Sequence, residues 1–131
     1  MKHVFRMHRG DDLYLSLEAY ASAHDIKAAL ILSGVGSVSE LNLRAAGAKR
    51  CVSYREDMEI VSLTGTVSRD RIHVHGSFSR EDMSCVGGHL KPGAIVNTTA
   101  EIVLDELEGV VFSKEYDPET GYDELAITYE R

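Results

Sequence analysis

"RIHVHGSFSREDMSCVGGHL", Arg71 to Leu90, holds three of the chain's six histidines: His73, His75 and His89. Side chains alternate across a β-strand. Ile72, Val74 and Phe78 then face one way, with Gly76 between them. Arg71, His73, His75, Ser77 and Ser79 face the other way. The first set reads as a core face. The second places two imidazoles on one side, about 7 Å apart at the backbone for a rise of ~3.3 Å per residue. Two rings so placed can converge on one ion at Zn–N distances of about 2.0–2.1 Å. A third ligand has to come from elsewhere. Gly87-Gly88, just before His89, permit a sharp turn with φ > 0. That turn is expected to return His89 to the same face from a neighbouring strand. H-x-H by itself fits a polar strand face as well as a ligand pair; the glycine pair and the third histidine add weight to a metal site.

Other polar residues enter as lesser candidates. Cys85 is a fourth-ligand candidate, although a lone cysteine also behaves as a small hydrophobe. Glu101, on the polar side of its strand with Asn97 and Thr99, could ligate or accept from an imidazole N–H. Glu59 is a candidate general base or a surface carboxylate. His3, His8 and His24 stand apart and read as surface residues. "SGVGSVS" (33–39) lacks the third glycine of G-x-G-x-x-G and reads as a tight turn at Gly34–Gly36.

The rest of the chain points to an α+β domain with mostly antiparallel sheet and one main amphipathic helix. Its 131 residues suggest one domain, 1–131. Residues 2–8 read as a first strand. An Asp N-cap within Gly10-Asp11-Asp12 opens a helix over 12–24, with Leu13, Leu17, Tyr20, Ala21 and His24 on one stripe. Strands are expected at 26–33, 37–46, 57–68, 71–79 and 94–107. "VVFSKEY" and "ELAITYE" flank "DPETG" as a last hairpin. No run of about 18 apolar residues is present, so no membrane span is expected. The start lacks a secretory h-region, which makes the cytoplasm the default and Cys51 and Cys85 free thiols. Fourteen Lys and Arg against twenty-one Asp and Glu give a net charge of −7. That sign opposes unassisted binding to nucleic acid.

"MEIVSLTGTV", "HVH", "VGGHLKPGAIV", "AEIVLDEL" and "DPETGYDEL" follow in order. Together they resemble the plant-and-prokaryote-conserved (PPC) domain family, over nearly the whole chain. The resemblance implies an α+β fold assembled as a homotrimer. It also implies a three-histidine metal unit, matched in type and spacing by His73, His75 and His89, with zinc the expected ion. Plant members of the family carry AT-hooks beside this domain, and a DNA-associated or regulatory role follows by analogy. No Arg-Gly-Arg-Pro hook or basic tail occurs in this chain, so the isolated chain is expected to bind DNA weakly or not at all. A more distant likeness to the acetolactate decarboxylase architecture, with its H-x-H and third histidine, implies the alternative of a small metalloenzyme. An open zinc position would then take a small-molecule ligand.

Overall fold

The computed structural model describes residues 1–130. It contains nine strands and one short helix among them: β1 (Lys2–His8), α1 (Leu13–Ala23), β2 (Ala29–Arg44), β3 (Cys51–Tyr54), β4 (Met58–Val67), β5 (Ile72–Ser79), β6 (Cys85–Leu90), β7 (Ile95–Glu106), β8 (Val110–Asp117) and β9 (Tyr122–Tyr129). The expected α+β, mostly antiparallel character holds, with sheet predominating. Among the described residues no helix is long and apolar enough to cross a membrane.

Seven strands form one sheet in the order β1-β7-β2-β4-β5-β6, with β3 beside β2. All of its pairings are antiparallel. β8 and β9 make a separate hairpin. The hairpin is tied back by Phe112, whose N–H donates to the Lys27 carbonyl (2.9 Å) and whose carbonyl accepts from Ser68 Oγ (3.0 Å). Helix α1 buries Leu13, Leu17 and Ala21. Its N-cap, Asp12, accepts from the Leu15 N–H, as the acidic run before the helix suggests.

Strand β2 departs most from the sequence reading. Gly34–Gly36 do not make a turn; the chain runs through them as a single strand of 16 residues. The glycines serve close approach. A Cβ on Gly36 would lie 1.9 Å from the Thr99 carbonyl oxygen, and one on Gly34 would lie 2.7 Å from Leu63 Cδ1. Register shifts interrupt the β2–β7 ladder after Ile31, Gly36 and Val38, and the β4–β5 ladder after Ile60. Bulges of this kind bend a strand and raise its twist. The first part of β2 therefore lies between β7 and β4, while its last residues pair with β3 and with β6. β6 in turn pairs with β5. Strands β2, β4, β5 and β6 thus close on themselves around Val74, Phe78, Leu63, Leu43 and Leu90, all buried.

His3 is also not where the sequence put it. It is 8% exposed, and its ring nitrogens meet Tyr20 Oη (3.0 Å) and Glu106 Oε1 (2.7 Å). It pins α1 to β1 and β7, a role that three scattered histidines in a sequence do not disclose.

Gly65 sets the distance between β4 and the strand that carries the histidines. A Cβ there would lie 2.2 Å from the His73 carbonyl oxygen and 2.9 Å from Val74 Cα. Both are backbone atoms that cannot swing aside. Gly65→Ala is expected to cost about 1–3 kcal/mol, the range of overpacked cores. Thermal unfolding at fixed protein concentration should show a clear drop in Tm; an unchanged Tm would mean that the two strands part freely.

Candidate metal centre

The strand register assembles the histidines. On β5, Ile72, Val74, Gly76 and Phe78 are buried, and His73, His75, Ser77 and Ser79 occupy the other face. Across the sheet, Thr64 of β4, His75 of β5, His89 of β6 and Arg44 of β2 stand directly opposite one another in sequence. Adjacent strands lie about 4.8 Å apart, so His89 has one imidazole and one guanidinium as immediate neighbours. His73, two residues before His75, completes the group. The ring centroids are 5.0 Å apart for His73–His75, 5.2 Å for His73–His89 and 5.5 Å for His75–His89. One nitrogen from each ring lies within 4.8 Å of the other two. Three nitrogens around a tetrahedral zinc lie about 3.4 Å apart at bond lengths near 2.1 Å, a gap that small ring rotations close.

Gly87 and Gly88 work differently from expectation. Both are extended residues within β6; the reversal from β5 is made by Arg80–Ser84, with Met83 at φ 68°. A Cβ on Gly87 would lie 2.9 Å from the Gly76 carbonyl oxygen, and one on Gly88 would lie 2.9 Å from that of Arg44. The pair lets β6 wedge between β5 and the end of β2, which delivers His89.

The lesser candidates fall away from this group. Cys85 is exposed at the far end of β6, four residues or about 13 Å along the strand from His89. Glu101 is exposed on β7, opposite Arg6 of β1 and Val35 of β2. Glu59 borders a different cleft, with Asp57 and Asn97.

Two cations that the sequence reading gave no role stand against the rings. Arg71 Nη1 lies 3.3 Å from His73 Nδ1, and Arg44 Nη2 lies 3.5 Å from His89 Nδ1. Arg71 has a side chain only 14% exposed and also faces Glu124 Oε1 of β9 at 3.8 Å. Arg44 lies over the Tyr122 ring, 5.7 Å from its centroid. A cleft of about 840 Å³ opens beside His73 and His89, with Tyr14 and Glu18 of α1 and Lys114 and Glu124 of the hairpin on its walls. Arg71 was legible as a residue of the histidine face. Arg44 was not, because only the β2–β6 pairing brings it there.

Burial, and then these arginines, favour the neutral form of His73 and His89. Desolvation is the main cause that lowers the His73 pKa, followed by Arg71. The same causes, with Arg44 as the cation, bring His89 down to about 4. Neutral imidazole is the form that ligates metal. A depressed histidine pKa also means that the unfolded chain takes the proton first. Metal-free protein should therefore lose stability as pH falls from about 6.5 toward 4. In metal-free protein the His89 ring should titrate near pH 4 by NMR, and Arg44→Met should raise that value. A His89 midpoint at the ordinary histidine value of about 6.5 would contradict the burial seen at this site.

Comparison with known proteins agrees with this architecture. The family model for the Plants and Prokaryotes Conserved (PCC) domain matches residues 1–108. A bifunctional protein GlmU from Synechococcus sp. (strain JA-3-3Ab) is 39% identical over 125 residues, covering 95% of this chain and 20% of that protein. The chain thus spans about a fifth of the length of the curated relatives it matches. A hypothetical protein from Salmonella cholerae-suis superimposes with a TM-score of 0.94 at 32% identity, over 98% of this chain and 94% of that one. A metal-containing protein from Archaeoglobus fulgidus does so with a TM-score of 0.77 at 26% identity, over 96% and 93%. With the family model covering both the closed strand group and all three clustered histidines, this chain belongs to the Plants and Prokaryotes Conserved domain family.

Proposed function

We propose that this chain is a homotrimeric, divalent-metal-binding PCC-domain protein whose ion is zinc, held by His73, His75 and His89. The observation that carries the reading is the convergence of three imidazole nitrogens within 4.8 Å of one another. Three neutral nitrogen donors suit zinc. The Archaeoglobus fulgidus relative, named as metal-containing, supports the same reading. Three ligands leave a coordination position open, and a bound ion would supply Lewis acidity there. The cellular role that follows from the family likeness is DNA-associated or regulatory, with the negative net charge weighing against direct DNA contact by this chain alone.

The cleft beside His73 and His89 favours a second reading, a small metalloenzyme acting on a small molecule. In that case Glu18 and Glu124, which line the cleft, replace Glu101 and Glu59 as candidates for general base.

Assembly is argued from the outer face of the sheet. Val4 on β1, Leu32 and Val35 on β2 and Val61 on β4 are 74%, 54%, 52% and 57% exposed. Large apolar side chains left open on three strands of one sheet are a surface for self-association. Light scattering at micromolar concentration is expected to give three times the chain mass of 14.4 kDa, and Val4→Glu with Val35→Glu should lower it. A mass equal to one chain for the parent protein would refute the trimer.

Metal content is the direct test of the site. Protein purified without a histidine tag should hold one zinc per chain at pH 7 and release it toward pH 4–5, as protons compete for the imidazoles. Replacing any one of the three histidines by Ala should weaken binding beyond the roughly 10- to 100-fold typical of an outer partner. His8→Ala, at an exposed position outside the cluster, should not. Equal zinc in the triple-Ala variant and the parent would dispose of the site.

A further inference from the structure

Metal-ligating histidines ordinarily donate their second N–H to a carboxylate or carbonyl. Here the Nδ1 atoms of His73 and His89 face guanidinium nitrogens instead. A guanidinium only donates, so each Nδ1 must be the ring's lone-pair nitrogen. A neutral imidazole has one such nitrogen. If metal takes Nδ1, the arginine is displaced from it. If metal takes Nε2, Nδ1 carries the proton and can no longer accept from the arginine. By either route, loading the three histidines breaks both arginine–imidazole hydrogen bonds.

The two freed arginines differ in what awaits them. Arg71 has Glu124 at 3.8 Å and can turn to it. Arg44 forms no ion pair among the described residues. It would share the cleft with Lys91, Lys114 and a divalent charge. Glu18, Asp70, Asp123 and Glu124 line the same cleft, yet none of them pairs with Arg44, whose guanidinium is left free to meet an anion. We infer that the site takes up its metal together with a small oxyanion, a carboxylate or a phosphate monoester, anchored by Arg44 at the metal's open side. The inference rests on the metal reading above. Metal and oxyanion each strengthen the other's binding, and the coupling must be the same in both directions.

Cobalt(II) reports both events, since its visible spectrum responds to ligand number and type. Metal-free full-length protein is titrated with cobalt alone, then with about 10 mM acetate or methyl phosphate present. Cobalt should bind, and one anion should tighten it about fivefold or more, an ordinary coupling, with a saturable spectral change. The anion giving the larger effect identifies the ligand class. In Arg44→Met, cobalt without anion should bind at least as tightly as in the parent, because His89 Nδ1 is no longer held, while the anion effect disappears. Cobalt binding that neither anion alters would overturn the coupling and leave the metal site standing. An anion effect that survives in Arg44→Met would overturn Arg44 as the anchor. Absence of cobalt binding would overturn the metal reading itself, and this inference with it. Should Arg44→Met fail to fold, the parent titrations still decide the coupling.

Discussion

The pairing of β6 with the last residues of β2 is the contact on which the site depends. Leu43 lies opposite Leu90, and Arg44 opposite His89. Without it, β6 would be an edge strand and His89 would have only β5 beside it. With it, four strands close, Leu43 and Leu90 are buried, and a histidine and an arginine from distant parts of the chain stand side by side. The closure needs a long strand that bends. The register shifts along β2 supply the bending, and the absent side chains of Gly34, Gly36, Gly65, Gly87 and Gly88 let neighbouring elements approach. Hydrophobic burial on one side of the β5–β6 hairpin therefore fixes the polar chemistry on the other.

Local periodicity carried much of this in the sequence. The alternation in "IHVHGSFS" put His73 and His75 on the polar face, and the structure keeps them there. The amphipathic stripe and Asp N-cap gave α1 nearly its observed bounds. What stayed hidden involves partners far apart in the chain. Gly34–Gly36 look like a turn because glycine suits turns, yet it suits crowded strands equally; Thr99 and Leu63, the atoms that demand glycine there, are remote in sequence. Gly87-Gly88 suggest a turn for the same reason, whereas the crowding that requires them comes from Gly76 and Arg44. His3 reads as a surface residue because Glu106, which holds it, is 103 residues away. The short β3 strand lacked any apolar run that would mark it.

The hairpin of β8 and β9 lies beyond residues 1–108, the part matched by the family model. It nevertheless furnishes Lys114, Tyr122 and Glu124 to the cleft beside the histidines. Its attachment is polar at both ends, through Phe112 to Lys27 and Ser68, and through Glu130 to Lys27 Nζ (2.8 Å). The chemistry around the three imidazoles is therefore divided. The closed strand group sets the three histidines and Arg44, and the hairpin sets what else a bound molecule would meet.

Three imidazoles this close stay together only if they do not all carry charge. Three protonated rings with centroids near 5 Å apart would repel one another, and burial would penalise each charge further. Burial first, and then the guanidinium groups beside them, lower the pKa of His73 and His89, and the same groups give each Nδ1 lone pair a donor. The same cations make the place inhospitable to a bare divalent ion. Coulomb repulsion between a 2+ ion and an arginine a few ångströms away amounts to several kcal/mol even at an effective dielectric constant of about 20. Side chains that preserve the ligand set thus oppose its occupation by a cation alone. Glu124 relieves this beside Arg71, whereas Arg44 forms no ion pair among the described residues, with Asp123 and Glu124 only on the walls of the same cleft. A site so built favours its ion most when negative charge arrives with it.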